Sequence, residues 1–145
     1  GKINRKRVYD EKIDFSSEKL DLDLSINTVK LFDNVRLKKQ NLTARSRRGE
    51  IFLDNFNKKL KYYVLYDDIK LEEKLQLMNG QSQMRRAYSE KLEGYMAEAK
   101  VVLSGAPRVE QGDDLIKGYQ ITLRENVELV EVDDSQSSFD LKRDK

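Results

Sequence analysis

The sequence predicts an all-β domain of bent antiparallel strands forming two facing sheets. Three observations predict it: a nine-residue unit that recurs four times, turn-forming residues at the centre of each unit, and an apolar parity that survives those turns. The units are Val29 to Leu37 (VKLFDNVRL), Tyr63 to Leu71 (YVLYDDIKL), Val101 to Val109 (VVLSGAPRV) and Ile121 to Leu129 (ITLRENVEL). Each is apolar at its first, third, seventh and ninth places.

The middle of the unit fixes its shape. A two-residue hairpin at Asp33-Asn34 would put apolar Leu31 and polar Arg36 on one face, so a tight hairpin contradicts the pattern. A strand that continues through a bend keeps Val29, Leu31, Val35 and Leu37 on one side, with DN, DD, GA and EN as the corners. Each unit then crosses from one sheet to the facing one, and stacked units meet at a crease.

The segments between units follow. SEKLDLDLSINTVKLFDNVRL, from Ser17, aligns without a gap on SEKLEGYMAEAKVVLSGAPRV, from Ser89, which points to duplication. Met84 to Ala99 carries apolar residues at helical spacing, yet Gly94 and the alignment to the Ser17 segment favour a strand around Ser89 to Tyr95. Glu72 to Met78 reads as helix-like, ending at an Asn79-Gly80 turn that separates two halves. The expected organisation is an N-terminal extension (1–12), one β-domain (13–132, halves about 13–78 and 82–132) and a C-terminal tail (133–145). Length allows one domain. The first residue is Gly and not Met, as expected of a processed or trimmed product.

Composition removes most enzymatic readings. The chain has no His and no Cys, which excludes imidazole- and thiolate-based nucleophiles and metal sites. The acidic pairs Asp67-Asp68, Asp113-Asp114 and Asp133-Asp134 lack the spacing of a cation loop and read as turn residues. No cofactor or metal is expected. Lys plus Arg number 28 against 26 Asp plus Glu, so a net charge of +2 gives no general case for nucleic acid. A β-domain binding single-stranded nucleic acid through its basic clusters and its Tyr and Phe residues is the alternative from another class. Those clusters are Lys2, Arg5, Lys6 and Arg7; Arg45, Arg47 and Arg48; Lys58, Lys59 and Lys61; and Arg85 and Arg86. Apolar residues on both parities at Val127, Leu129, Val130 and Val132 fit an exposed sheet edge.

Ile13 to Ala44 resembles the opening of the OstA-like family of lipopolysaccharide transport proteins, most of all its soluble periplasmic bridge member. Ser89 to Leu123 resembles the family's second half more closely, through Leu103-Ser104-Gly105, Gln111-Gly112 and Ile116-Lys117-Gly118-Tyr119-Gln120-Ile121. Two features depart from the family pattern: Asp33-Asn34 stands where Gly-Asn is usual, and Arg45 to Gly49 looks expanded.

The resemblance implies a V-shaped antiparallel β-jellyroll in the periplasm, without catalysis, whose interior shields the acyl chains of lipopolysaccharide. It also implies end strands that dock on inner- and outer-membrane components of a transport bridge or on further copies, head to tail. A membrane-anchored member, or a domain of the outer-membrane partner, is the alternative within the pathway. Parity nominates the groove residues Val29, Leu31, Val35, Leu37, Ile69, Val101, Leu103, Val109, Ile121 and Leu123, with Val64 or its neighbours Tyr63 and Leu65. Parity alone fits a closed core equally well. Arg45, Arg47, Arg48, Arg85 and Arg86 are candidate contacts for head-group phosphates, which guanidinium binds bidentately.

Overall fold

A computed structural model describes residues 5–9 and 12–134. Lys2, half of the expected extension and nearly all of the tail lie outside the described residues.

Twelve strands form, and no helix is present among the described residues. In chain order they are β1 (Lys6–Tyr9), β2 (Asp14–Ser17), β3 (Lys19–Asp23), β4 (Thr28–Lys39), β5 (Leu42–Leu53), β6 (Leu60–Gln76), β7 (Ser82–Tyr95), β8 (Lys100–Ser104), β9 (Arg108–Gln111), β10 (Asp114–Lys117), β11 (Gln120–Arg124) and β12 (Val130–Asp133). Every pairing is antiparallel. The long strands β4 to β7 belong to two arms at once. The first arm runs β3-β4-β5-β6-β7-β8-β11-β12 and the second β1-β2-β4-β5-β6-β7-β9-β10. This is the expected β-jellyroll of facing sheets. The sheet starts at Lys6, inside the segment expected as an extension.

In the first three units the crease lies where the sequence places its corners. The fourth does not cross, because the chain leaves the sheet at Glu125-Asn126, and Val127 and Leu129 are exposed and not inward. Asp33 and Asn34 on β4 stand opposite Arg47 alone, and Asp67 and Asp68 on β6 opposite Glu90 alone. Asp33, Asn34, Asp67 and Asp68 all have positive φ, as do Gly105 and Ala106 between β8 and β9, and Asn126 after β11. A left-handed L-residue costs about 1–2 kcal/mol, least for Asn and Asp, which is why these residue types occupy the bends. On the strands without inserted residues, serines brace the crossing. Ser17, Ser46 and Ser89 are buried and donate their hydroxyls to the carbonyls of Lys19 (2.7 Å), Arg48 (2.9 Å) and Lys91 (2.9 Å). The intervening Glu18 and Glu90 donate backbone N–H to the carbonyls of the facing corner residues Asp33 and Gly105, both at 3.0 Å.

Glu72 to Gln76 is strand and not helix. Leu71, Glu73 and Leu75 are buried while Lys70, Glu72, Lys74 and Gln76 are exposed, a period of two hidden by the charge of Glu73 at an inner position. Arg85 disguises β7 in the same way, since Arg85, Ala87 and Ser89 alternate inward. The strand expected around Ser89 extends back to Ser82. Asn79-Gly80 forms the turn of the β6–β7 hairpin, whose strands pair directly.

Candidate functional site

Among the described residues, one hydrophobic cluster fills the interior between the arms. Val29, Leu31, Val101, Leu103, Ile121 and Leu123 enter it from the first arm, and Val35, Leu37, Ile69 and Val109 from the second, none more than 2% exposed. Tyr63 and Leu65 join this cluster, and Val64 is buried apart from it. The rings of Phe15 and Tyr63 meet across the arms edge to face, with centroids 5.2 Å apart. All ten parity-nominated residues therefore share one interior. In this structure the arms are closed over it.

A cleft of about 410 Å³ opens at the mouth, lined by Val8, Ile13 and Phe15 from the second arm and Leu53 and Leu60 from the first, with Lys58 and Lys59 beside it. Sequence reasoning missed these five apolar residues. Ile13 and Phe15 alternate as strand residues do, but they precede the first repeated unit, and Leu53 and Leu60 flank a polar loop.

A polar clasp holds one side of the mouth. The buried Arg85 guanidinium pairs with the buried Glu73 carboxylate and also donates to the carbonyls of Val127 (2.7 Å) and Arg124 (3.0 Å). Glu73 accepts the Asn126 N–H at 3.0 Å. Lys39 reaches Glu125 at 2.7 Å with both side chains largely buried, and Gln111 donates to the Glu128 carbonyl at 2.8 Å. Side chains of the second arm thus grip the chain leaving β11 of the first. Burying these charges is tolerable only because each has partners.

The five candidate head-group arginines do not form one cluster. Arg85 is a correction: its guanidinium is inside the fold and engaged in the clasp. Arg48 pairs with Asp67 at 2.8 Å and lies over the Tyr66 ring, and the Asp67 carboxylate raises its pKa. Arg86 pairs with Glu72 at 3.0 Å. Arg45 and Arg47 are exposed, Arg47 at the crease and Arg45 on the outer face of the second arm.

There Arg45 lines a concavity of about 570 Å³ together with Arg5, Arg7, Arg36, Lys38 and Lys70. Partial burial, and after it the charges of Arg36 and Arg45, lower the Arg5 pKa. Among the described residues no group of three or more His, Cys, Asp or Glu side chains is placed to hold a metal. Asp67 and Asp68 occupy a bend.

A family model described as LptA/(LptD N-terminal domain) LPS transport protein matches residues 14–128. Among solved structures, the chain is similar to LptH, described as the LptA homologous periplasmic component of the conserved lipopolysaccharide transport device from Pseudomonas aeruginosa. The TM-score is 0.73 over 87% of this chain and 85% of that one. At 15% identity that likeness establishes the fold alone. No curated protein sequence matches the chain.

Proposed function

Since the chain belongs to the LptA/LptD N-terminal domain family of lipopolysaccharide transport proteins, a non-enzymatic transport component, we propose that it shields lipopolysaccharide acyl chains between its two arms. The observation that carries this reading is the single apolar interior shared by both arms, with its cleft of Val8, Ile13, Phe15, Leu53 and Leu60 at the mouth. An acyl chain offers no polar group to recognise, so its retention depends on area removed from water, at about 25 cal/mol per Å². The inner faces of β4 to β7 supply such area through Val29, Leu31, Leu37, Ile51, Leu65, Leu71 and Leu92. Entry requires the mouth to widen, and the clasp around Arg85 sets the side on which it stays closed.

The same reading places the protein in the periplasm, within a bridge between the membranes. β1 and β3 end the sheet on one side and β10 and β12 on the other. Leu22 on β3, Leu115 on β10 and Val132 on β12 are exposed, as suits edges that add a strand from a transport component or a second copy.

Photo-crosslinking residues at Leu31 and Leu103 test the proposal. Capture of lipopolysaccharide at both, with none at outward-facing Lys30, supports it. Failure at both positions in a folded protein overturns it.

A further inference from the structure

One row of side chains crosses the outer face of the second arm from edge to edge. Direct pairing runs Arg7 to Ser16, Ser16 to Arg36, Arg36 to Arg45, Arg45 to Lys70, Lys70 to Tyr88, Tyr88 to Arg108 and Arg108 to Lys117. No acidic residue interrupts it. Arg36, Arg45 and Lys70 are consecutive, with side chains about 5 Å apart at Cβ, an arrangement that like-charge repulsion disfavours. A sheet selected only for stability would alternate signs here.

The two acids that line the concavity on this face are already used. Asp14 is held by Arg7 at 2.6 Å and Glu72 by Arg86 at 3.0 Å, whereas Arg36, Arg45 and Lys70 make no ion pair among the described residues. These three line the 570 Å³ concavity beside Arg5. Six cations and two acids line it, a surplus of four in a chain whose formal charge is only +2.

We propose that this concavity is a phosphoryl-binding site, with Arg36 and Arg45 as the clamp and Lys70 as a third charge. Two guanidinium forks on adjacent strands match the oxygens of a phosphate monoester, which carries up to two negative charges and accepts bidentate hydrogen bonds. The acyl groove lies on the opposite face of the same strands, so a head group whose chains fill that groove is not the ligand placed here. The site takes a phosphate from a membrane surface or from a soluble phosphate ester. The site follows from the charge row, and only the membrane source rests on the transport reading.

The test measures binding to phosphatidylcholine vesicles with and without phosphatidic acid, and to inorganic phosphate by calorimetry. The proteins compared are the intact chain, R36Q/R45Q, and K30Q/K61Q, which removes the same charge from the first arm. Binding that requires phosphatidic acid or phosphate, falls about tenfold or more in R36Q/R45Q and persists in K30Q/K61Q supports the site. Displacement from vesicles by inorganic phosphate assigns it to soluble esters, and lack of displacement to a membrane head group. Equal losses in the two variants, or unchanged binding by R36Q/R45Q, overturn it. Tighter binding of a single-stranded oligonucleotide, lost in the same variant, also overturns it.

R36Q/R45Q is expected to be at least as stable as the parent, because it relieves repulsion, so lost binding is not lost folding. Lipopolysaccharide capture at Leu31 should persist in this variant, which separates failure of the outer site from failure of the groove.

Discussion

The ring of Tyr63 lies on the bare backbone of Gly94, its direct partner across β6 and β7: a Cβ on Gly94 would fall 1.9 Å from Tyr63 Cζ. The same ring meets Phe15 of the facing arm edge to face. Gly94 therefore makes room for the aromatic pair that joins the arms. Gly94→Ala should cost about 1–3 kcal/mol, read from the urea midpoint, because the ring must leave its packed position. In Tyr63→Leu/Gly94→Ala the alanine should cost far less, and simple additivity of the two single losses would refute this packing role.

The Arg85–Glu73 clasp should show the asymmetry of a buried pair. Arg85→Met leaves the Glu73 carboxylate without its principal partner and should destabilise by about 3–5 kcal/mol. The double variant Arg85→Met/Glu73→Leu should be more stable than Arg85→Met alone. Equilibrium denaturation checks both, and a double variant weaker than either single would show that the charge pair itself stabilises the fold.

The three crossing serines should behave alike. Ser17→Ala, Ser46→Ala and Ser89→Ala each remove a hydroxyl bonded to the carbonyl two residues on, and each should lose about 1 kcal/mol in thermal or urea unfolding. Three neutral substitutions would mean that the crease needs only the backbone bonds.

Two sets of groups shape the pH dependence. Hydrogen bonds from Ser25 hold the Asp23 carboxylate below its usual range, and the N–H groups of Phe56 and Asn57 do so for Asp54. Their contribution is complete above the ordinary Asp value of about 4 and disappears as pH falls through the lowered folded values. Burial, then the hydrogen bond to Glu93, pushes the Tyr62 phenol up. That contribution is intact below the ordinary value of about 10 and is lost as pH rises through the folded value. Urea midpoints from acid to alkaline pH should decline at both ends, and Tyr62→Phe should flatten the alkaline decline only.

Much of this architecture was legible in the residues. The parity of Val29, Leu31, Val35 and Leu37 survives Asp33-Asn34 because two left-handed residues opposite Arg47 alone restore the face that a single corner residue would reverse. The Ser17 and Ser89 alignment marks the same device in both halves, each hydroxyl bonded across its crease residue. Ser46 performs that role too, but its Arg-rich neighbours resemble neither copy.

What stayed hidden depends on long-range partners. Glu73 and Arg85 stand at inward positions only because they meet each other, and that meeting gave β6 its helical disguise and sent Arg85 to the surface in the sequence reading. The Arg36, Arg45 and Lys70 row was equally invisible, since its members are remote in sequence and register alone assembles them. Tyr63 and Leu65 could not be separated from Val64 by pattern, because all three are apolar and the strand is buried on both faces there.

Parting of the arms around an acyl chain is the central claim, and a distance measurement tests it most directly. The chain contains no Cys, so nitroxides placed at Gln40 on the second arm and Lys61 on the first, both at the mouth, report only that gap. Addition of lipopolysaccharide should shift the inter-label distance distribution to longer values, whereas an unchanged distribution in protein that co-elutes with lipopolysaccharide would contradict the account.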